Sequence, residues 1–181
     1  MHDEVFGDAL TRAANAEHFR DLIEVNRAGV IEQLAFIALT HEGEVMAGMI
    51  GGFDLPYVMR SIDSVAKAFD AVDPDSQPGG LLSEPPPPSQ LTDEQRADNQ
   101  VRVDEVLRDL ATANERGEIA GTAAIVFGRR PAFYRFNGSL PPSVFARILR
   151  ALRQQIERGQ RVAHRDWTHW DGTDQRNKHC S

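Results

Sequence analysis

The residues best suited to chemistry are arginines confined to one stretch of the chain. Residues 129–165 contain nine Arg and a single acid, Glu157. The guanidinium group binds phosphate and carboxylate through a planar fork of N–H donors. Spacings of three on a helix keep such groups within about one turn of each other. The arginines that we predict to form a binding surface are Arg129, Arg130, Arg135, Arg147 and Arg150.

Three kinds of partner suit this arginine surface. The first is a nucleotide or nucleic acid, because Tyr134 and Phe136 flank Arg135 and could stack on a base. An acidic protein is another. The third is the chain itself, because residues 1–128 hold 23 acidic and 9 basic side chains. The net charge of −7 argues against a dedicated nucleic-acid binder.

The C-terminal segment, residues 164–181, contains both tryptophans and several side chains of metal-ligand type. Zinc needs three or four ligands in fixed geometry, and the spacing His-x-Asp-x-x-His in this segment matches no zinc template. We therefore predict neither a metal site nor a cofactor. Trp is favoured in interface hot spots, so Trp167 and Trp170 are predicted binding residues. They either pack on the protein's own sheet or dock into a partner.

Motifs of catalysis are missing from the sequence. It contains neither a glycine-rich phosphate loop nor a serine nucleophile elbow. The one cysteine, Cys180, is the penultimate residue, which is a poor position for a buried nucleophile. We expect a protein that binds rather than catalyses.

The elements that must position these residues occur twice. Residues 73–90 hold six of the ten prolines, which belong in neither helix interiors nor sheet centres. We predict a linker over 73–91, a first helix-strand-strand-helix repeat over 1–72, a second over 92–163, and a tail over 164–181. In the second repeat, Thr92 and Gln95 form a capping box. An apolar stripe from Val103 to Leu110 follows.

The two halves also match residue by residue. A shift of 88 positions places Asn26 on Asn114 and Gly29 on Gly117. Later in each half, "GFDLPYVMRSI" is echoed by "GSLPPSVFARIL". Internal duplication is the interpretation that we prefer. The alternative is that two similar units merely share the residues that start and stop their helices.

These elements predict an α+β fold. A lone two-stranded hairpin is marginal in water, so we expect the two antiparallel hairpins to pair edge to edge into a small four-stranded sheet with helices on one face. The pairing can occur within one chain or between two, which leaves a homodimer possible. Because no apolar run reaches eighteen residues and the N-terminus does not resemble a secretory signal, we expect a cytoplasmic protein without membrane contact.

The stretch "VLRDLATANERGEIAGTAAIVFG" resembles small, uncharacterised proteins encoded by phages and prophages. The resemblance covers residues 103–152, and it implies an accessory factor that binds host or phage components. It carries over no catalytic residue. The expected function is that of a non-catalytic binding protein that occupies a host protein's surface, as an inhibitor does. The alternative is a nucleotide or nucleic-acid binder that uses the arginine-rich second repeat. A third hypothesis, which the sequence leaves open, is a small metal-dependent enzyme built on the C-terminal segment.

Overall fold

The computed structural model describes residues 2–51, 54–89, 91–128 and 132–158. Four helices and five strands follow one another along these residues. The elements are α1 (His2–Arg27), β1 (Ile31–Thr40), β2 (Val45–Gly51), α2 (Leu55–Asp70), β3 (Gly79–Leu81), α3 (Asp93–Glu115), β4 (Ile119–Gly128), β5 (Phe133–Gly138) and α4 (Pro142–Glu157).

The strands form one antiparallel sheet in the order β2-β1-β4-β5-β3. The α+β prediction is confirmed, and the two hairpins pair through β1 and β4 within a single chain. The prediction of four strands was one short, because the segment Gly79–Leu81 adds β3 beside β5. Each half presents helix, strand, strand and helix in that order, while the duplication itself stays a prediction.

Helices cover both faces of the sheet, so the expectation of helices on one face was wrong. The reason lies in the central strands, since β4 is buried at every position and β1 at every position but the last. A strand that is apolar on both sides must be covered on both sides. Helices α2 and α4 pack on one face, and α1 and α3 pack on the other.

Two separate cores result, one on each side of the sheet. On the α2/α4 face, alternate strand residues such as Ile37 and Ile125 meet Tyr57, Phe69 and Phe145 from the helices. On the α1/α3 face, the intervening residues Phe36 and Val126 meet apolar side chains of the helices. The buried helix residues on this face are Phe19, Leu22, Val103, Val106, Leu107 and Leu110.

The contacts between the two halves are reciprocal. Along β1 and β4, Phe36 pairs with Ala124, the residue 88 positions later. The same relation holds for the buried amides: Asn26 Nδ2 donates to Gln100 O over 2.8 Å, and Asn114 Nδ2 donates to Arg12 O over 2.9 Å. Gln100 lies 88 positions after Arg12, so each half gives the other the same bond. This is the geometry of a two-fold axis, and it supports the residue-by-residue match.

The segment predicted as a linker is held to the sheet over part of its length. Beyond β3, the Leu82 amide donates to Ala132 O over 2.8 Å. The Tyr57 hydroxyl donates to Glu84 O over 3.1 Å, and the Arg60 guanidinium pairs with the Glu84 carboxylate. The chain between the two halves is therefore part of the packed structure from Gly79 to Glu84.

The ends of the helices follow local sequence rules. Thr92 and Gln95 form both bonds of the predicted capping box at the start of α3. Gly29 and Gly117 have φ values of 68° and 74° just after α1 and α3, which is the left-handed conformation that glycine adopts most readily. On α1, Phe19 and Leu22 are buried, whereas Leu10 and Ala14 are exposed. Within the described residues, no helix is long and apolar enough to cross a membrane.

We predict that Gly138→Ala destabilises the protein by about 1–3 kcal/mol through overpacking. A Cβ atom at Gly138 would lie 2.7 Å from the Gly121 Cα atom on the paired strand, and that backbone has no room to move. Gly80→Ala is the matched control, because its Cβ atom would approach only the Tyr134 side chain, at 3.5 Å. Urea unfolding of both variants tests this, and equal midpoints would contradict it.

Candidate functional site

The described members of the predicted arginine surface are divided between the two faces of the sheet. Arg135 on β5 contacts Asp21 of α1 over 2.7 Å. Arg150 on α4 pairs with Asp70 of α2. Both acids belong to the first half of the chain. These arginines therefore pair within the chain itself, which was one of the three predicted partners. Arg153 behaves in the same way and lies 2.8 Å from Asp63.

The remaining predicted residues have different surroundings. Arg147 is exposed on α4, while Tyr134 is partly buried and meets the Phe69 ring edge-on at 5.8 Å between centroids. Phe136 is only 1% exposed, so a base cannot stack on it. The predicted residues Arg129, Arg130, Trp167 and Trp170 lie outside the described residues. Among the described residues no metal-ligand cluster occurs.

The edge strand β2 is the longer of the two outer strands of the sheet, with seven residues against three in β3. Its seven residues, "VMAGMIG", include neither charge nor proline. The Thr40 amide donates to Glu44 O over 2.9 Å at the hairpin, and in an antiparallel pair the bonded positions alternate. The bonded register on β2 therefore continues through Met46, Gly48 and Ile50, and the backbone groups of Val45, Ala47 and Met49 point away from β1.

A cleft of about 390 Å³ opens beside this edge, between the start of β2 and the last turns of α3. Its apolar wall includes Val45, Met46 and Ala113. Three acids and one base also line it, namely Glu44, Asp109, Glu118 and Arg116. The formal charge of the lining is negative, and Val45 and Met46 at the start of β2 belong to it.

A group of buried polar side chains lies on the other half of the sheet, between α1 and the β4–β5 hairpin. Asn15 and His18 of α1 are 0% and 1% exposed. Asn15 Oδ1 accepts from the Thr122 hydroxyl over 3.4 Å, and Asn137 Nδ2 donates to Ala14 O over 3.4 Å. No described group hydrogen-bonds to Asn15 Nδ2 or to either ring nitrogen of His18. We call Asn15, His18, Thr122 and Asn137 the α1 polar cluster.

Burial sets the protonation state of the His18 imidazole in this cluster. It lowers the pKa of His18 from 6.5 to about 4, assisted by the positive charge of Arg135 and opposed by the Asp21 carboxylate. At neutral pH the imidazole is therefore uncharged. A neutral imidazole offers one N–H donor and one nitrogen acceptor.

A second cleft, of about 540 Å³, runs along β3 and β5. Arg135 and Asn137 are part of its lining, and these two side chains also contact α1 at Asp21 and Ala14. On β3 the cleft is bordered by Gly79 and Gly80, which contribute no side chains. Of the α1 polar cluster, Asn137 lines this cleft, whereas Asn15, His18 and Thr122 do not.

Sequence reasoning missed both the β2 edge and the α1 polar cluster. The residue match between the halves contained a signal for the cluster, because the shift of 88 places the polar residues Asn15 and His18 on the apolar residues Val103 and Val106. For the edge, the absence of charge and proline in "VMAGMIG" was visible. Only the strand order shows that this strand lies at the edge of the sheet that the described residues form.

Comparison with known proteins adds no assignment to these features. No family model, curated protein or solved structure matches the chain.

We predict that the burial of His18 lowers the free energy of unfolding as the pH falls from about 6.5 to about 4. In this range the unfolded chain binds a proton that the folded protein excludes, so the free energy of unfolding decreases as pH falls. The full loss is roughly 3 kcal/mol, and it is complete below the folded pKa. Urea unfolding across this range measures it, with His18→Phe as a variant that cannot titrate here. If both proteins lose the same stability, the burial of His18 is not the cause.

Proposed function

We propose that the protein is a non-catalytic binding protein that captures an extended segment of a partner protein as an additional strand along β2. The observation that carries this proposal is the outer edge of β2, which no described strand covers and whose seven residues include neither charge nor proline. Natural sheets usually blunt such edges with charges, prolines or bulges, because an open edge is a template for strand pairing. An unprotected edge is therefore expected where pairing is the function.

The backbone of β2 is suited to this role. Val45, Ala47 and Met49 present N–H and C=O groups on the side away from β1, which is what an incoming strand requires. The opposite edge is a weaker candidate, since β3 contains only three residues. Each added main-chain bond contributes about 0.5–1.5 kcal/mol net, so a longer edge holds a partner more firmly.

The cleft beside β2 supplies a preference among partners. Its apolar wall suits an aliphatic side chain, and its surplus of carboxylates suits a basic one. We propose that the bound segment is extended and combines apolar residues with at least one Lys or Arg. Complementary charge selects partners and speeds encounter more than it adds affinity.

The phage resemblance of residues 103–152 suggests where the partner comes from. An accessory factor that covers a surface of a host protein would act as an inhibitor without any chemistry of its own. The nucleic-acid alternative has less support, because Arg135 and Arg150 are already paired with carboxylates of the first half.

Hydrogen exchange tests the edge before any partner is known. We predict that the amides of Val45, Ala47 and Met49 exchange quickly in the free protein, whereas those of Met46, Gly48 and Ile50 are protected by bonds to β1. Amide exchange measured by NMR gives each rate. Strong protection of all six amides would mean that the outer side of β2 is already covered, which contradicts the proposal.

Proline scanning tests the binding mode. Peptides selected from a random twelve-residue library against the full chain should slow exchange at Val45, Ala47 and Met49. We predict that Ala47→Pro weakens their binding by about tenfold or more, because proline removes an outward N–H donor but no bond to β1.

Ala47→Ser is the matched control, since it changes the side chain and keeps the donor. It should bind the selected peptides as the unaltered protein does. Normal binding by Ala47→Pro, or protection confined to residues outside β2, would show that the peptides bind elsewhere and would refute strand addition.

A further inference from the structure

Four consecutive prolines, residues 85–88, lie between β3 and α3 and have no part in strand addition at β2. We call them the proline run. They belong to neither a helix nor a strand. Because proline has a fixed φ and no amide N–H, four in succession favour the polyproline II helix, which has three residues per turn. The sequence therefore sets the shape of this segment before any partner binds.

The exposure of the proline run has the period of that helix. Pro85 and Pro88 are exposed, whereas Pro86 and Pro87 between them are half-buried. Residues three apart lie on the same side of a polyproline II helix, about 9 Å from each other along its axis. Pro85 and Pro88 therefore form one ridge that faces solvent. Pro86 and Pro87 occupy the other two sides, which the rest of the protein partly covers.

Both ends of the proline run are fixed to the protein. Before it, the Tyr57 hydroxyl donates to Glu84 O over 3.1 Å, and the Arg60 guanidinium donates to both oxygens of the Glu84 carboxylate. After it, the Leu91 amide donates to the Ser89 hydroxyl over 3.3 Å, just before α3 begins. A partner that binds a segment held in this way meets less of the ordering cost that a free peptide incurs.

The chemistry of the proline run restricts the partner. Its backbone offers carbonyl acceptors but no N–H donors, so it cannot pair as a strand. The ridge itself consists of two apolar pyrrolidine rings. Trp and Tyr side chains complement both features, because each combines a broad apolar ring with one N–H or O–H donor.

We propose that the ridge of Pro85 and Pro88 docks a second partner, a protein domain whose groove is lined by Trp and Tyr side chains. Grooves of this kind bind proline-rich segments in SH3 and WW domains, where the preformed polyproline II helix supplies the shape. The protein is then an adaptor, with one binding surface along β2 and another on the proline run. The docking rests on the proline run alone and stands whether or not β2 captures a strand.

The test is an NMR titration of the ¹⁵N-labelled full chain with a panel of purified SH3, WW and EVH1 domains. At least one domain should bind and should shift the amides of Glu84 and Ser89, which bracket the proline run, in a saturable manner. If no domain of the panel binds, or if the shifts are centred on other parts of the chain, the proposal is wrong.

Two double variants test the ridge itself. Pro85→Ala with Pro88→Ala removes the exposed rings and should weaken binding by about tenfold or more. Pro86→Ala with Pro87→Ala is the matched control, because it removes the same number of prolines and keeps the ridge. It should weaken binding by about threefold at most. Equal weakening by both variants would mean that the ridge is not what the domain contacts, and it would overturn the proposal.

Ala47→Pro separates this docking from strand addition at β2. It should bind the domain as the unaltered protein does, and the variant without Pro85 and Pro88 should still capture the peptides selected for β2. Loss of domain binding in Ala47→Pro would place the domain at β2 and refute docking at the proline run.

Discussion

The pairing of β1 with β4 is the contact on which the rest of this structure depends. Both strands are buried on both faces, and neither can be satisfied by one layer of helices. Their union at the centre of the sheet therefore requires α1 and α3 on one side and α2 and α4 on the other. It also moves the two remaining hairpin strands outward, and β2 becomes an edge while β5 acquires β3.

The hydrogen bonds across the interface between the halves are reciprocal, while some buried positions along it differ in polarity. The reciprocal bonds of Asn26 and Asn114 hold α1 and α3 in equivalent positions. Within that shared frame, one half has valines where the other has Asn15 and His18. The equivalent interface in the second half is packed by apolar side chains. Packing alone therefore does not require Asn15 and His18 in the first half.

The charges illustrate a related point. The sequence separates acids from arginines along the chain, but the fold brings them together, so Arg135, Arg150 and Arg153 meet Asp21, Asp70 and Asp63. Such partly exposed pairs contribute little to stability individually. Their main consequence is electrostatic, because a run that is strongly basic in sequence presents much less positive charge on the described surface.

Local information determined much of this protein from sequence alone. Hairpin positions, the capping box at Thr92 and the helix-ending glycines Gly29 and Gly117 depend on residues close in the chain, so they could be predicted. The continuous apolar runs in β1 and β4 also indicated that these strands are buried on both faces. We nevertheless expected helices to cover only one face of the sheet. Tertiary structure alone decided the strand order, the incorporation of Gly79–Leu81, the pairing of the arginines and the placing of Asn15 and His18 against β4 and β5. These depend on contacts between residues as many as 123 positions apart, such as Ala14 and Asn137, which local propensity does not specify.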